Sequence, residues 1–191
     1  MEEMQKSDVN TYSDLKRISE NQVYSLIDGT LFLHAAPSWQ HQKVLKELML
    51  IFGNYLKDKD CEIFSAPFDV FLEAKDEHEI ESATTVVQPD LTIICDKSKL
   101  AKTGYIGAPQ MIIEITSPST VRLDRVLKFN KYEAAGVKEY WIVEPENKII
   151  TCFVLEPDGR YGRPKMFSEG DIIKVAIFPD LEINVDEIFK I

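Results

Sequence analysis

The chain of 191 residues has no long hydrophobic run. Its apolar stretches, such as "LMLIF" at 48–52, hold a handful of residues, against roughly 20 for a helix that crosses a bilayer. The reading is therefore of a protein without a helical membrane span. The opening "MEEMQKSDVN" lacks the apolar segment of an export signal, which points to a cytoplasmic chain with a disordered lead over residues 1–11. Cysteine is scarce: Cys61, Cys95 and Cys152 are odd in number, far apart, form no C-x-x-C pair, and each sits in an apolar strand-like run. Neither a disulfide framework nor a thiolate metal site is expected. Excess positive charge is missing too. A formal charge of -10 repels phosphate and argues against general nucleic-acid affinity. The deficit is uneven, because residues 97–165 carry 12 Lys and Arg against 8 Asp and Glu, a net of +4, leaving -14 elsewhere. A local basic face remains open. Internal repeats and low-complexity tracts are absent.

What is present is 45% apolar residues, enough to bury one sizeable core, and the length suits a single domain over 12–191. "NQVYSLIDGTLFLHAAP" at 21–37 alternates apolar and polar residues around Asp28-Gly29, which predicts a β-hairpin. In "SWQHQKVLKELMLIFGNYLKDK", Ser38 is placed as an N-cap, and Val44, Leu45, Leu48, Ile51, Phe52, Tyr55 and Leu56 recur at helical spacing. Two short strand pieces follow around Pro67, then a charged connector at 74–84 without apolar period. At the centre, "PDLTIICD" and "QMIIEITSPS" read as central strands covered on both faces, separated by the Lys- and Gly-rich loop "KSKLAKTGYIGAP". A helix over 119–137, with Ser119 or Thr120 as N-cap and Gly136 after its end, leads into the strand "KEYWIV". Strand, helix and strand make a crossover unit. Further strands, an "EPDGR" turn and a short "VDEIF" helix complete the chain.

Pro89 cannot donate a ladder hydrogen bond, so it suits the entrance to a strand and fixes Asp90 there. Glu114 falls inside an apolar strand, where an unpaired carboxylate is costly. It must be hydrogen-bonded, metal-bound, at an exposed strand end, or ion-paired, for instance with a basic residue of the next helix. If the two strands are neighbours, both carboxylates converge and offer oxygen ligands to a hard cation such as Mg²⁺. Asp124, Lys128 and Tyr132 are spaced by four and share one helix face, either facing the strands or as a solvated pair. Tyr132, Tyr140 and Trp141 read as core.

The ordered set Pro89-Asp90, Glu114, "SPST" at 117–120, "DRVLK" at 124–128 and "GVKEYWIVEP" at 136–145, with "LIDG" at 26–29 and "APSWQHQ" at 36–42, resembles the Uma-type restriction endonuclease-like family of the PD-(D/E)XK nuclease superfamily. The resemblance implies a restriction endonuclease-like α/β fold, with a mixed central β-sheet flanked by helices and an N-terminal β-hairpin. It further implies a Mg²⁺-dependent endonuclease, with Mn²⁺ as substitute, that hydrolyses phosphodiester bonds of nucleic acid, DNA foremost, as a homodimer. Asp90 and Glu114 would hold the metal. The superfamily lysine, two positions after the acid, is replaced by Thr116, and Lys128 is its candidate substitute on the next helix. Asp124, His41 and Ser117 would support the site. The acid that the family carries ahead of the hairpin is Ser25 here. That departure keeps a second reading open, a catalytically inactive nucleic-acid-binding or homodimeric regulatory module on the same fold.

Overall fold

The computed structural model describes residues 10–18, 24–117 and 120–190 of the chain. Most of the expected N-terminal lead therefore lies outside the described residues, as do Asn21, Gln22 and Val23 of the hairpin segment and the candidate cap Ser119. Helix α1 (Tyr12–Ile18) is followed by strands β1 (Tyr24–Ile27) and β2 (Thr30–Leu33), paired antiparallel. Asp28 and Gly29 both take positive φ, 49° and 72°, as the two-residue turn of a tight hairpin requires. Helix α2 (Trp39–Leu56) starts where Ser38 accepts the amide of His41, and it buries Val44, Leu48, Phe52 and Leu56 on one face.

Strands β3 (Glu62–Ser65) and β4 (Asp69–Phe71) flank Pro67, and β5 (Leu91–Ile94) follows Pro89. The segment expected to be an irregular loop instead supplies two short strands, β6 (Leu100–Ala101) and β7 (Gly104–Ile106). They join β4 in a three-stranded sheet in the order β4-β7-β6. The reason is non-local: β7 pairs in parallel with β4, some thirty-five residues earlier. The charged connector also carries structure, a 3₁₀ turn at Glu77–Glu79 capped by Asp76.

Strand β8 (Met111–Ile115) leads through a π-helical segment, Leu123–Lys128, into α3 (Phe129–Ala135) and on to β9 (Glu139–Glu144), parallel to β8. The crossover is thus present, but the first turns of its helix make i→i+5 hydrogen bonds, which apolar spacing does not signal. Gly136, at φ 91°, ends α3. Strands β10 (Ile149–Val154) and β11 (Lys165–Phe167) complete a six-stranded mixed sheet in the order β11-β10-β9-β8-β5-β3. A second pair, β12 (Ile172–Lys174) and β13 (Glu182–Asn184), precedes α4 (Val185–Ile188).

Alternation along β5, β8 and β9 divides the core. Leu91, Ile93, Met111, Ile113, Ile115 and Trp141 pack under α2 and α4, while Ile112, Tyr140 and Ile142 pack under Leu123 and Tyr132. Both central strands are buried along their length, which is why they read as continuous apolar runs.

The cysteine expectation is corrected. Cys61 and Cys95 form a disulfide, with Cα atoms 4.0 Å apart. Antiparallel pairing of β3 with β5 sets Glu62 opposite Ile94, and one further step brings the two cysteines across from each other. Their separation of 34 residues is closed by sheet register, which spacing in the sequence does not reveal. Cys152 is buried with a free thiol. Among the described residues no helix is long and apolar enough to cross a membrane.

Candidate active site

Two neighbouring strands build the site. Antiparallel pairing sets Leu91 of β5 opposite Ile113 of β8, so one step back places Asp90 across from Glu114. Side chains directly opposite project to one face of a sheet. Asp90 Oδ2 accepts the amide of Ile115 at 2.7 Å, and its Oδ1 lies 3.1 Å from Nε2 of His41. The carboxylate is thereby held from β8 on one side and from the first turn of α2 on the other.

Glu114 is buried. Its Oε1 accepts from Lys128 Nζ at 2.9 Å and from the Tyr132 hydroxyl at 2.6 Å. Lys128 also lies 3.2 Å from Asp124 Oδ1, and both side chains are almost wholly removed from solvent. The solvated-pair reading of Asp124 and Lys128 is therefore replaced by a buried triad, and the ion-paired reading of Glu114 is realised by Lys128. The π-helical segment carries both helix residues to the sheet, and the Tyr140 hydroxyl anchors that segment by donating to the Asp124 carbonyl at 3.0 Å.

Burial works to strip the proton from Lys128, but Glu114 and Asp124 outweigh it and hold the ammonium above its ordinary pKa. Burial pushes the Glu114 carboxyl up, against the pull of Lys128, with Asp124 and Asp90 adding to the rise. Asp124 is raised by the same burial, again opposed by Lys128. For His41, burial lowers the pKa, yet the hydrogen bond and charge of Asp90 reverse the sign and leave it raised. His34 is held down to about 3 by burial and by Lys128, so it stands neutral at physiological pH.

All six residues singled out in the sequence, Asp90, Glu114, Lys128, Asp124, His41 and Ser117, line one cavity of about 440 Å³, together with His34, Thr120 and residues at the start of α2. Ser117 donates its amide to Thr120 Oγ1 at 3.1 Å. Thr116, at the position of the superfamily lysine, is buried, and its amide donates to the Val143 carbonyl. Two participants escaped the sequence reading. Tyr132, read as core, is buried in the core and also binds Glu114; its four-residue spacing from Lys128 was the available signal. His34 lines the cavity and lies 3.0 Å from the hydroxyl of Ser25. Ser25 thus reaches the site through an imidazole, a link no local pattern encodes.

The sequence pattern of the family described as "Uma2: Putative restriction endonuclease" matches residues 9–186. The chain belongs to the Uma2 family. An uncharacterized protein of Synechocystis sp., slr1290, is 25% identical over 141 residues, which is 73% of this Uma2 chain and 70% of the relative. A crystal structure from Anabaena variabilis, described as "a putative nuclease belonging to DUF820", superposes with a TM-score of 0.74 at 15% identity, covering 94% of this chain and 97% of that one. That likeness is one of fold, and it agrees with the restriction endonuclease-like architecture of a mixed sheet between helices.

Among the described residues no group of three or more His, Cys, Asp or Glu side chains is arranged as a ready metal cage. The donors that face the cavity still suit a hard cation. Three carboxyl groups, Asp90, Glu114 and Asp124, meet one lysine and one histidine there and offer oxygen ligands. Mg²⁺ binds through one or two carboxylates and keeps several waters, so it needs no full protein cage. Among the described residues His41 Nδ1 is buried with no hydrogen-bond partner, and a metal-bound water or a phosphate oxygen would satisfy it.

Proposed function

We propose that this Uma2 protein is a Mg²⁺-dependent endonuclease that hydrolyses nucleic-acid phosphodiester bonds. The observation that carries the reading is the shared cavity, in which Asp90 and Glu114 face each other across two strands with Lys128 reaching in from the following helix. Asp90 and Glu114 would hold the ion. A bound Mg²⁺ polarises a phosphoryl oxygen and acidifies a water. Asp90 is fixed by the Ile115 amide and His41, so its oxygens are oriented before any ligand arrives. Lys128, kept cationic by Glu114 and Asp124, supplies positive charge where the phosphate becomes more negative. His41 positions Asp90 through their 3.1 Å contact, and Ser117 with Thr120 lines the same cavity.

DNA is the favoured substrate within this proposal, the protein acting as a homodimer in the cytoplasm, and Mn²⁺ replacing Mg²⁺. A second reading, a non-catalytic nucleic-acid-binding or regulatory module, is favoured by one observation: the Lys128 ammonium already occupies Glu114 and Asp124. Calorimetric titration of Mn²⁺ with plasmid cleavage on the same samples separates the two. The nuclease reading expects wild type to bind and cleave, with both properties lost in Asp90→Ala and Glu114→Ala. Folded wild type that binds no metal and leaves the plasmid intact would move the assignment to the second reading.

A further inference from the structure

A second cavity, of about 550 Å³, is lined in part by chain neighbours of residues that line the first. Ser65 and Ala66 line the carboxylate cavity, whereas Phe64, Pro67 and Phe68 line its neighbour. On the adjoining segment, Asp90 faces the first cavity and Gln88 the second. One stretch of each chain segment therefore serves both.

The acid in the second cavity is already satisfied. Asp69 accepts the hydroxyls of Tyr12 at 2.7 Å and Tyr24 at 3.1 Å, and the Gln88 amide at 2.8 Å. What remains available is apolar and cationic. Phe64 and Phe68 stack with ring centroids 4.3 Å apart and planes 9° from parallel, and both rings are only partly buried. Lys102 lines the same cavity, is exposed, and makes no ion pair among the described residues. Leu100, 37% exposed, adds an apolar edge. Aromatic faces for bases beside a cation for the backbone are the combination that holds single-stranded nucleic acid, since every base has a π-face. Gly104 keeps this wall close, because a Cβ there would lie 2.2 Å from the Asp69 carbonyl oxygen.

We propose that the Phe64–Phe68 cavity is a stacking subsite for an unpaired nucleobase of the strand whose phosphate occupies the carboxylate cavity. The inference rests on the nuclease reading for the course of that strand, and it adds what the site recognises: an unpaired base beside the phosphate, hence single-stranded or locally opened substrate.

Fluorescence anisotropy of a labelled oligothymidine of about 12 nucleotides, in EDTA so that nothing is cut, tests it on the full chain. A matching strand of abasic sugar-phosphate is the second probe. Phe64→Leu and Phe68→Leu keep an apolar side chain and remove the π-face; Lys102→Glu lies on the surface. Wild type is expected to prefer the base-bearing strand, and each leucine variant to lose roughly ten-fold in affinity for it and discriminate the two strands poorly. Lys102→Glu should weaken both strands alike and flatten the salt dependence. Equal binding of the two strands by wild type, binding of neither, or leucine variants that keep the preference would overturn the subsite. A chain that binds through the aromatic pair but cuts nothing refutes the nuclease reading alone, whereas Asp90-dependent cutting with unaltered leucine variants refutes the subsite alone.

Discussion

Lys128 ties the helix after β8 to the sheet through two buried ion pairs. Its ammonium is the counter-charge for two buried carboxylates, Glu114 and Asp124. Removing one partner of a buried ion pair leaves the other charged and unpaired, at a cost of about 3–5 kcal/mol. Lys128→Ala is accordingly expected to lower the urea-unfolding free energy by that amount in metal-free protein, where a solvated lysine would shift it by under about 1 kcal/mol. His41 acts one step away from the proposed ligands. Because it fixes Asp90 through a 3.1 Å contact, His41→Ala should weaken Mn²⁺ binding about 10- to 100-fold, measured by calorimetry, with thermal unfolding checking that the fold is retained. Most of this site was legible, since Pro89 marks a strand entrance, a lone acid in "MIIEITS" demands a partner, and a four-residue interval joins Asp124 to Lys128. The Ser25–His34 contact was not, because it joins two strands through a turn and depends on which way each side chain faces.

At the scale of elements, α3 is tied to its surroundings at both ends. Lys131 pairs with Asp28 of the hairpin turn at 2.5 Å and with Glu73 at 2.8 Å. Glu133 accepts the amide of Tyr161 at 2.7 Å and Arg160 at 2.9 Å, clamping the helix to the turn after β10. The backbone hydrogen bond, helped by Arg160, holds the Glu133 carboxyl below its ordinary value of 4.5. A carboxyl depressed in the folded state stabilises it above that value, and the contribution fades as pH falls through the lower, folded pKa. Urea midpoints taken from pH 6 down to pH 3 should therefore fall more steeply for wild type than for Glu133→Gln, the curves converging at the acid end. Elements with their own periodicity were readable in advance: the hairpin from alternation around Asp28-Gly29, α2 from its apolar stripe, the crossover from its order. Strands β6 and β7 were hidden among lysines and glycines because their partner, β4, lies far back in the chain. The π-helical segment was hidden because its wider turn leaves the order of apolar residues unchanged.

For the molecule as a whole, the Cys61–Cys95 link closes a loop of 34 residues containing β3, β4 and β5. A cross-link of that span restricts the unfolded chain enough to stabilise the fold by about 3–4 kcal/mol. Thermal unfolding with and without a reductant should show that loss, and Cys61→Ser with Cys95→Ser should unfold at the reduced protein's temperature whether or not reductant is present. Charge works at the same scale. With -10 overall, long-range attraction to a polyanion is weak, so the proposed nucleic-acid substrate would be held by short-range groups around the two cavities.

The pairing of β5 with β8 also determines where the chain can change in length. Asp90 and Glu114 are neighbours through the ladder between 91–93 and 111–113, and the excursion of residues 95–110 has no part in setting their separation. Insertions or deletions among the exposed residues 97–99 can lengthen or trim that excursion and leave the carboxylates face to face. One residue added inside either strand turns a carboxylate to the opposite side of the sheet. Length variation is thus tolerated between the two acids and forbidden beside them, although all of it falls within one short stretch of chain.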